Sequence, residues 1–232
     1  KNNADLYVVQ TDEMKKRLAS FLNISKNIID VNYGSYHPIF TRKISDLSLL
    51  PIKNDDEFWF VTISSYYPHK NLDIINKILD ILALKDINIQ VKFILTLPDN
   101  IFKEKFNRND GTLINVGPVE LNECPYLYDK SDALFLPTLV ESFTASYPEA
   151  MIMKKPILTS DYQFSRLVCD QSALYFDPYN PNDIVDKIIQ IISNKSLQDR
   201  LVNNGLSRVH GMPTFLDMTK KYLDICESNK FN

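Results

Sequence analysis

Glycine is scarce in this chain: there are five in 232 residues, and none falls into a G-x-G-x-x-G or Walker spacing. The standard dinucleotide fingerprint and the P-loop are therefore absent, since both need glycines where backbone closes on phosphate. Cysteine is sparse too. Cys124, Cys169 and Cys226 lie far apart without metal-ligand spacing, so each reads as a small core residue in a reduced compartment. No apolar run reaches the roughly 18 residues that a spanning helix needs, and no secretory leader is read. The expected location is cytoplasmic, or peripheral to a membrane through a domain outside this chain. Excess positive charge is missing as well: 26 Lys and Arg stand against 29 Asp and Glu. With those cations scattered and no basic stripe interleaved with aromatics, nucleic acid is not an expected partner.

What the chain does have is a regular alternation. Its 44% apolar and 24% charged residues are those of an ordinary globular protein. From Phe58 onward, short apolar runs at 58–64, 89–97, 113–116, 133–137, 156–160 and 173–176 alternate with amphipathic stretches such as NLDIINKILDIL and PNDIVDKIIQIIS. Continuous apolar runs suit strands buried on both faces, which predicts an α/β fold, a Rossmann-like parallel sheet sandwiched by helices. Residues 1–36 read as strand, helix, strand, with Thr11 as N-cap and Met14, Leu18, Phe21 and Leu22 at helical spacing. They are expected to be the remnant of a preceding domain. Residues 37–56 are polar, contain Pro38 and Pro51, and read as a linker. Residues 57–210 would be the sheet domain, and 211–232 a last helix opened by Pro213 that packs toward the missing domain.

In such a sheet, sites lie at the carboxyl ends of the strands, beside helix N-termini. Three loops there carry chemistry. The first brings His69, Lys70 and Asn71 to the opening of a helix, a good place for phosphate; the competing reading makes Lys70 a solvated side chain and Asn71 an N-cap. In the second, Gly117 would let a flat ligand approach the backbone, although Gly117-Pro118 is explained equally well by a simple turn. The third runs from Thr138 to Ser146, with Glu141 in the loop and Glu149 about one turn inside a helix that starts near Ala145. The two carboxylates could flank a sugar-sized ligand, or serve a glycosidase-type acid and base. They could equally be acids placed for the helix dipole, with Phe143, Tyr147 and Met151 packed beneath.

Taken together, the motifs resemble a known family. Glu141-Ser142-Phe143, followed after seven intervening residues by Glu149-Ala150-Met151, resembles the E-x7-E signature of retaining GT-B glycosyltransferases, family 4. YYPHKNL at 66–72 is similar to that family's phosphate loop, INVGPV at 114–119 to its base-contacting loop, and ADLYVVQTDEMKKRL at 4–18 to the end of its acceptor domain. The resemblance runs in order from about residue 4 to about residue 208.

The resemblance implies a C-terminal, donor-binding half of a GT-B fold that transfers a hexose from a nucleoside-diphosphate sugar to a saccharide or lipid-linked acceptor, without cofactor or metal. Glu149 would hold the ribose hydroxyls, Glu141 would touch the donor sugar near the reacting carbon, and Lys70 would bind the diphosphate with His69 beside it. Phe143 and the backbone N–H groups near Thr144, Ala145 and Ser146 would meet sugar and phosphate, and Gly117, Pro118 and Val119 would meet the base. The chain also lacks an Asp-x-Asp pair, the usual metal-binding device of the other major glycosyltransferase fold.

The chain departs from the family pattern in three ways. Ser64 and Ser65 stand where many members carry an Arg, and a hydroxyl does not replace a guanidinium fork. Ser142 and Thr144 replace glycines, as in mannosyltransferase-like branches, which tilts the donor from a UDP- toward a GDP-linked sugar. Third, the acceptor domain that the family pattern calls for is expected to lie outside this chain. Two alternatives share parts of the pattern: a GT-B sugar-nucleotide epimerase and, more remotely, a flavodoxin-like interaction domain.

Overall fold

The computed structural model describes residues 4–228. The chain opens with β1 (Tyr7–Val9), α1 (Asp12–Leu22) and β2 (Ile29–Val31), and the two short strands pair in parallel. Thr11 caps α1 as its side chain accepts from the Met14 N–H, with Asp12 and Glu13 in the first turn. Residues 37–56 include a 3-10 turn at Pro38–Thr41. This segment lies against the body of the protein: Phe40 is buried, and Ile39, Ile44, Leu47, Leu49 and Leu50 pack on the core.

The main sheet follows. In chain order its elements are β3 (Glu57–Thr62), α2 (Ile74–Leu82), β4 (Gln90–Leu95), α3 (Asp99–Lys105), β5 (Leu113–Asn115), α4 (Cys124–Lys130), β6 (Ala133–Leu136), α5 (Ser146–Ile152), β7 (Ile157–Ser160), α6 (Gln163–Cys169) and β8 (Ala173–Phe176). The chain continues through α7 (Pro181–Ser193), α8 (Lys195–His210) and α9 (Phe215–Glu227). Each of the six apolar runs forms a strand, all pairings are parallel, and the order across the sheet is β5-β4-β3-β6-β7-β8.

Continuous apolar runs form these strands because both sheet faces are covered. Along β3, Phe58 and Phe60 enter one core with α2, α7 and the start of α8, while Trp59 and Val61 enter the other with α4 and α5. Phe60 stacks on Phe93 of the adjacent β4 at 5.4 Å, and Phe135 of β6 stacks on Phe176 of β8, two strands away, at 5.5 Å, so the four rings extend an aromatic seam through one core. Gly205 lies within α8, where a Cβ would come to 3.1 Å of the Met151 Cγ, so its absence lets α8 lie close on α5. Gly211 follows the last helical residue.

Three local expectations are corrected. Asn71 is not the N-cap of α2. It adopts a left-handed conformation (φ 54°) at the end of a 3-10 turn, Pro68–Lys70, and its amide donates to the Pro178 carbonyl at 3.0 Å. α2 therefore starts at Ile74, and Lys70 stands in the turn before it. Pro213 does not open α9: Thr214 caps it in a reciprocal capping box with Asp217. Of the three thiols read as core residues, Cys124 and Cys169 are buried, but Cys226 is exposed on α9.

Candidate functional site

The order of strands reverses between β3 and β6, the place where connections leave in opposite directions and a crevice opens. Thr62 ends β3 and Leu136 ends β6, so the loops that follow them meet over that crevice. The Leu139 N–H donates to the His69 carbonyl at 2.7 Å, and the Thr138 hydroxyl lies 3.1 Å from the same oxygen. Through these contacts Lys70 and Glu141 come together, with Nζ 2.5 Å from Oε1 and side chains only 20% and 13% exposed. The Thr138 hydroxyl lies 3.1 Å from that same carboxylate oxygen. An ammonium and a carboxylate, 71 positions apart in sequence, thus form one largely enclosed pair at the switch point.

Glu149 lies deeper. It occupies the first turn of α5, which Ala145 precedes as N-cap, and its backbone N–H bonds to the Ala145 carbonyl. Its side chain meets the hydroxyl of Tyr128, which donates to Oε2 at 3.1 Å. Burial pushes the carboxyl up to about 7, and the Tyr128 hydrogen bond pulls the other way by favouring the charged form. Burial, and after it the Glu149 charge, raises the Tyr128 phenol well above its ordinary value, so it remains a donor.

The other predicted residues spread around this centre. The His69 ring stacks on Tyr67 at 5.7 Å, so the backbone of His69, more than its imidazole, ties the two loops together. Ser64 donates to the Ser65 carbonyl and sits beside Thr96 at the end of β4. Thr144 Oγ1 lies 3.4 Å from the Ser146 N–H at the head of α5. Gly117 has φ 75°, which explains glycine there, and an added Cβ would meet nothing within 4 Å. Pro118 is exposed, while Val119 packs against the core. Phe143 points elsewhere: a Cβ on Gly34 would come to 2.2 Å of its ring, so glycine at 34 admits that ring against the N-terminal segment. Phe143 and Gly34 line an open cavity of about 730 Å³ with Tyr33, Leu167, Arg208 and Met212. A neighbouring pocket of about 190 Å³ is walled by Glu141 and Ser142 on one side and by Glu13 and Arg17 of α1 on the other.

One residue of the centre escapes a reading of the sequence: Tyr128 looks like one more aromatic in the apolar run CPYLY, whereas Thr138 is legible as the start of the third loop, without its partners.

The family model for glycosyl transferases group 1 matches residues 51–208, a stretch that contains both loops of the switch point and all of α5. The chain belongs to that family. A curated relative, an uncharacterized glycosyltransferase of Methanocaldococcus jannaschii, is 28% identical over 159 residues, which cover 66% of this chain and 43% of the relative. The chain therefore spans less than half of that relative's length. Among solved structures, a glycosyltransferase from Rickettsia africae superposes with a TM-score of 0.78 at 15% identity, over 95% of this chain and 62% of that one. Anabaena HepE, solved in complex with UDP and glucose, superposes with a TM-score of 0.77 at 13% identity, over 97% of this chain and 64% of that one. At such identities the likeness is one of fold: this group 1 domain has the architecture of the C-terminal half of GT-B glycosyltransferases. Among the described residues, no helix is long and apolar enough to cross a membrane.

Proposed function

We propose that this chain is the donor-binding half of a retaining, metal-independent hexosyltransferase. The enzyme moves a hexose, mannose in the preferred reading, from a GDP- or UDP-linked donor to a saccharide or lipid-linked acceptor. One observation carries this reading: the sheet order brings Lys70 and Glu141 into contact at the switch point, with Glu149 in the first turn of the helix that follows the loop of Glu141. The UDP and glucose named for the Anabaena neighbour support a nucleotide sugar as the ligand class.

Each residue then has a physical task. Lys70 meets the diphosphate, where a fixed cation stabilises the negative charge that develops on the leaving nucleotide. Glu141, already oriented by Lys70 and Thr138, accepts from hydroxyls of the donor sugar near the reacting carbon. Glu149 accepts from the ribose hydroxyls, a task for an acceptor-only carboxylate. Gly117, Pro118 and Val119 border the base, and the backbone at Thr144 to Ser146 borders sugar and phosphate. His69 fixes the phosphate loop through its carbonyl.

In this reading residues 57–210 are the nucleotide-sugar domain, 37–56 the linker, and 1–36 with α9 the parts that face the acceptor half of a longer protein. The exposed apolar side chains of α9, Phe215, Leu216, Tyr222 and Leu223, support that division. Transfer then requires the acceptor half, whereas nucleotide binding does not.

A thermal-shift series with GDP, UDP, ADP and dTDP and their sugars tests the reading on this chain. A ligand at one hundred times its dissociation constant adds about 2.7 kcal/mol of apparent stability. No shift with any of them at millimolar concentration would refute the donor site.

A further inference from the structure

Tyr128 is fully buried in α4, with its ring edge-on to Phe40 at 5.8 Å. A phenylalanine would fill that space equally well, and a buried hydroxyl is unfavourable unless it is used. Its oxygen stands 3.1 Å from Glu149 Oε2 and 3.4 Å from the Ser146 carbonyl. A phenol has one proton to donate, and the shorter contact, to a group that can carry charge, is the stronger acceptor.

We propose that Tyr128 is a positioning residue for nucleotide binding: its hydroxyl holds one oxygen of Glu149 and leaves the other to accept from ribose hydroxyls, and binding expels the carboxyl proton to solvent. The proposal rests on Glu149 being the ribose contact. The carboxyl O–H bond breaks, the proton leaves to water, and the hydrogen bonds from Tyr128 and the ribose stabilise the charge that remains. A carboxyl held near 7 by burial is poised for this exchange at neutral pH. The elements packed on α5 are β6, β7, α8 and the 38–41 turn; α4 brings Tyr128 and Cys124 to Glu149. Burial, with the charges of Glu149 and Glu123 behind it, pushes Cys124 up to about 12, so it is neutral. Among the described residues no cation is paired with Glu149. The phenol is thus its principal polar partner.

Calorimetric titration of UDP and GDP into the chain from pH 5.5 to 8.5 tests this with Tyr128→Phe and Glu149→Gln beside the unmodified protein. Unmodified affinity should rise with pH through about 7 and level off above it, because the empty site holds the proton that the bound site must lose. Tyr128→Phe should bind about tenfold more weakly at neutral pH, the usual loss for a hydrogen bond to a charged group, with the midpoint displaced upward. Unchanged affinity and midpoint would overturn the proposal. A uniform loss at every pH with the midpoint unmoved would also overturn it, since that is the signature of packing alone. If Glu149→Gln binds like the unmodified chain, the ribose reading itself fails; if it binds weakly while Tyr128→Phe does not, only the role of Tyr128 fails. Carboxyl ¹³C titration of Glu149 in the ligand-free chain reads the same contact without nucleotide. Tyr128→Phe should raise its midpoint, and an unmoved midpoint overturns the proposal.

Discussion

Glu141 and Glu149 stand eight residues apart on one loop and the helix it leads into, yet the fold places them in opposite electrostatic settings. Glu141 meets an ammonium and a hydroxyl at the rim of the crevice. Glu149, in the first turn of that helix, has a phenol as its principal polar partner and is driven toward neutrality by burial. Spacing puts two carboxylates on one loop and the helix after it; other elements deliver the partners that set them apart. One is paired with a cation, while burial raises the pKa of the other to about 7.

That contrast can be broken most severely at Lys70. Lys70→Ala leaves Glu141 without its cation in a mostly enclosed place, and removing one partner of such a pair costs about 3 kcal/mol. The melting temperature should fall by roughly 6 to 12 °C in a domain of this size. Nucleotide affinity should drop by about a hundredfold, read by calorimetry, as the charge-assisted contacts to the diphosphate are lost. Lys70→Ala combined with Glu141→Ala should recover much of the stability and none of the affinity. If the single and double variants melt alike, the pair is not coupled.

The second effect concerns Glu149 and pH. Its carboxyl lies near 7 in the folded chain and near its ordinary value when unfolded, so the folded state holds the extra proton between about pH 4.5 and 7. Stability should therefore fall as pH rises through that window, by up to about 3 kcal/mol, and Glu149→Gln should flatten the profile. Chemical denaturation of the ligand-free chain at several pH values measures this. Glu57, Asp110, Asp161 and Asp217 shift the other way. They lose their contribution only as pH falls through the acidic range below that window.

A smaller change is expected at Thr138, whose hydroxyl links Glu141 to the His69 carbonyl. Thr138→Val keeps the shape and should cost about 1 to 2 kcal/mol, with a few-fold loss of nucleotide affinity. Smallest is Arg17→Ala. Arg17 pairs with Glu13 and Gln163 on the surface, and its loss should stay within about 0.5 kcal/mol. A loss as large as that of Lys70→Ala would mean that enclosure is not what separates the two ion pairs.

Most of the fold is legible in the residues because its signals are local. All six apolar runs from 58 to 176 form strands, since a strand buried on both faces needs no distant information to be apolar throughout. PNDIVDKIIQIIS matches α7 (Pro181–Ser193) residue for residue, with Asn180 accepting from the first-turn N–H groups. The misreadings are local competitions decided from outside. Asn71 looks like a cap, but its amide is claimed by the Pro178 carbonyl, 107 positions away, and Pro213 yields the start of α9 to the capping box of Thr214 and Asp217.

By itself, the sequence determined a parallel α/β domain with glutamates at 141 and 149 bordering a helix start and a lysine at 70 in the loop after the first strand of the main sheet. Only the tertiary structure decided what those side chains face. Lys70 meets Glu141 because β6 is inserted beside β3, and Tyr128 meets Glu149 because α4 and α5 lie on the same face of the sheet. Periodicity and capping act over a few residues and are written in the chain, whereas the charge state of a carboxyl depends on burial and on partners brought from far along it.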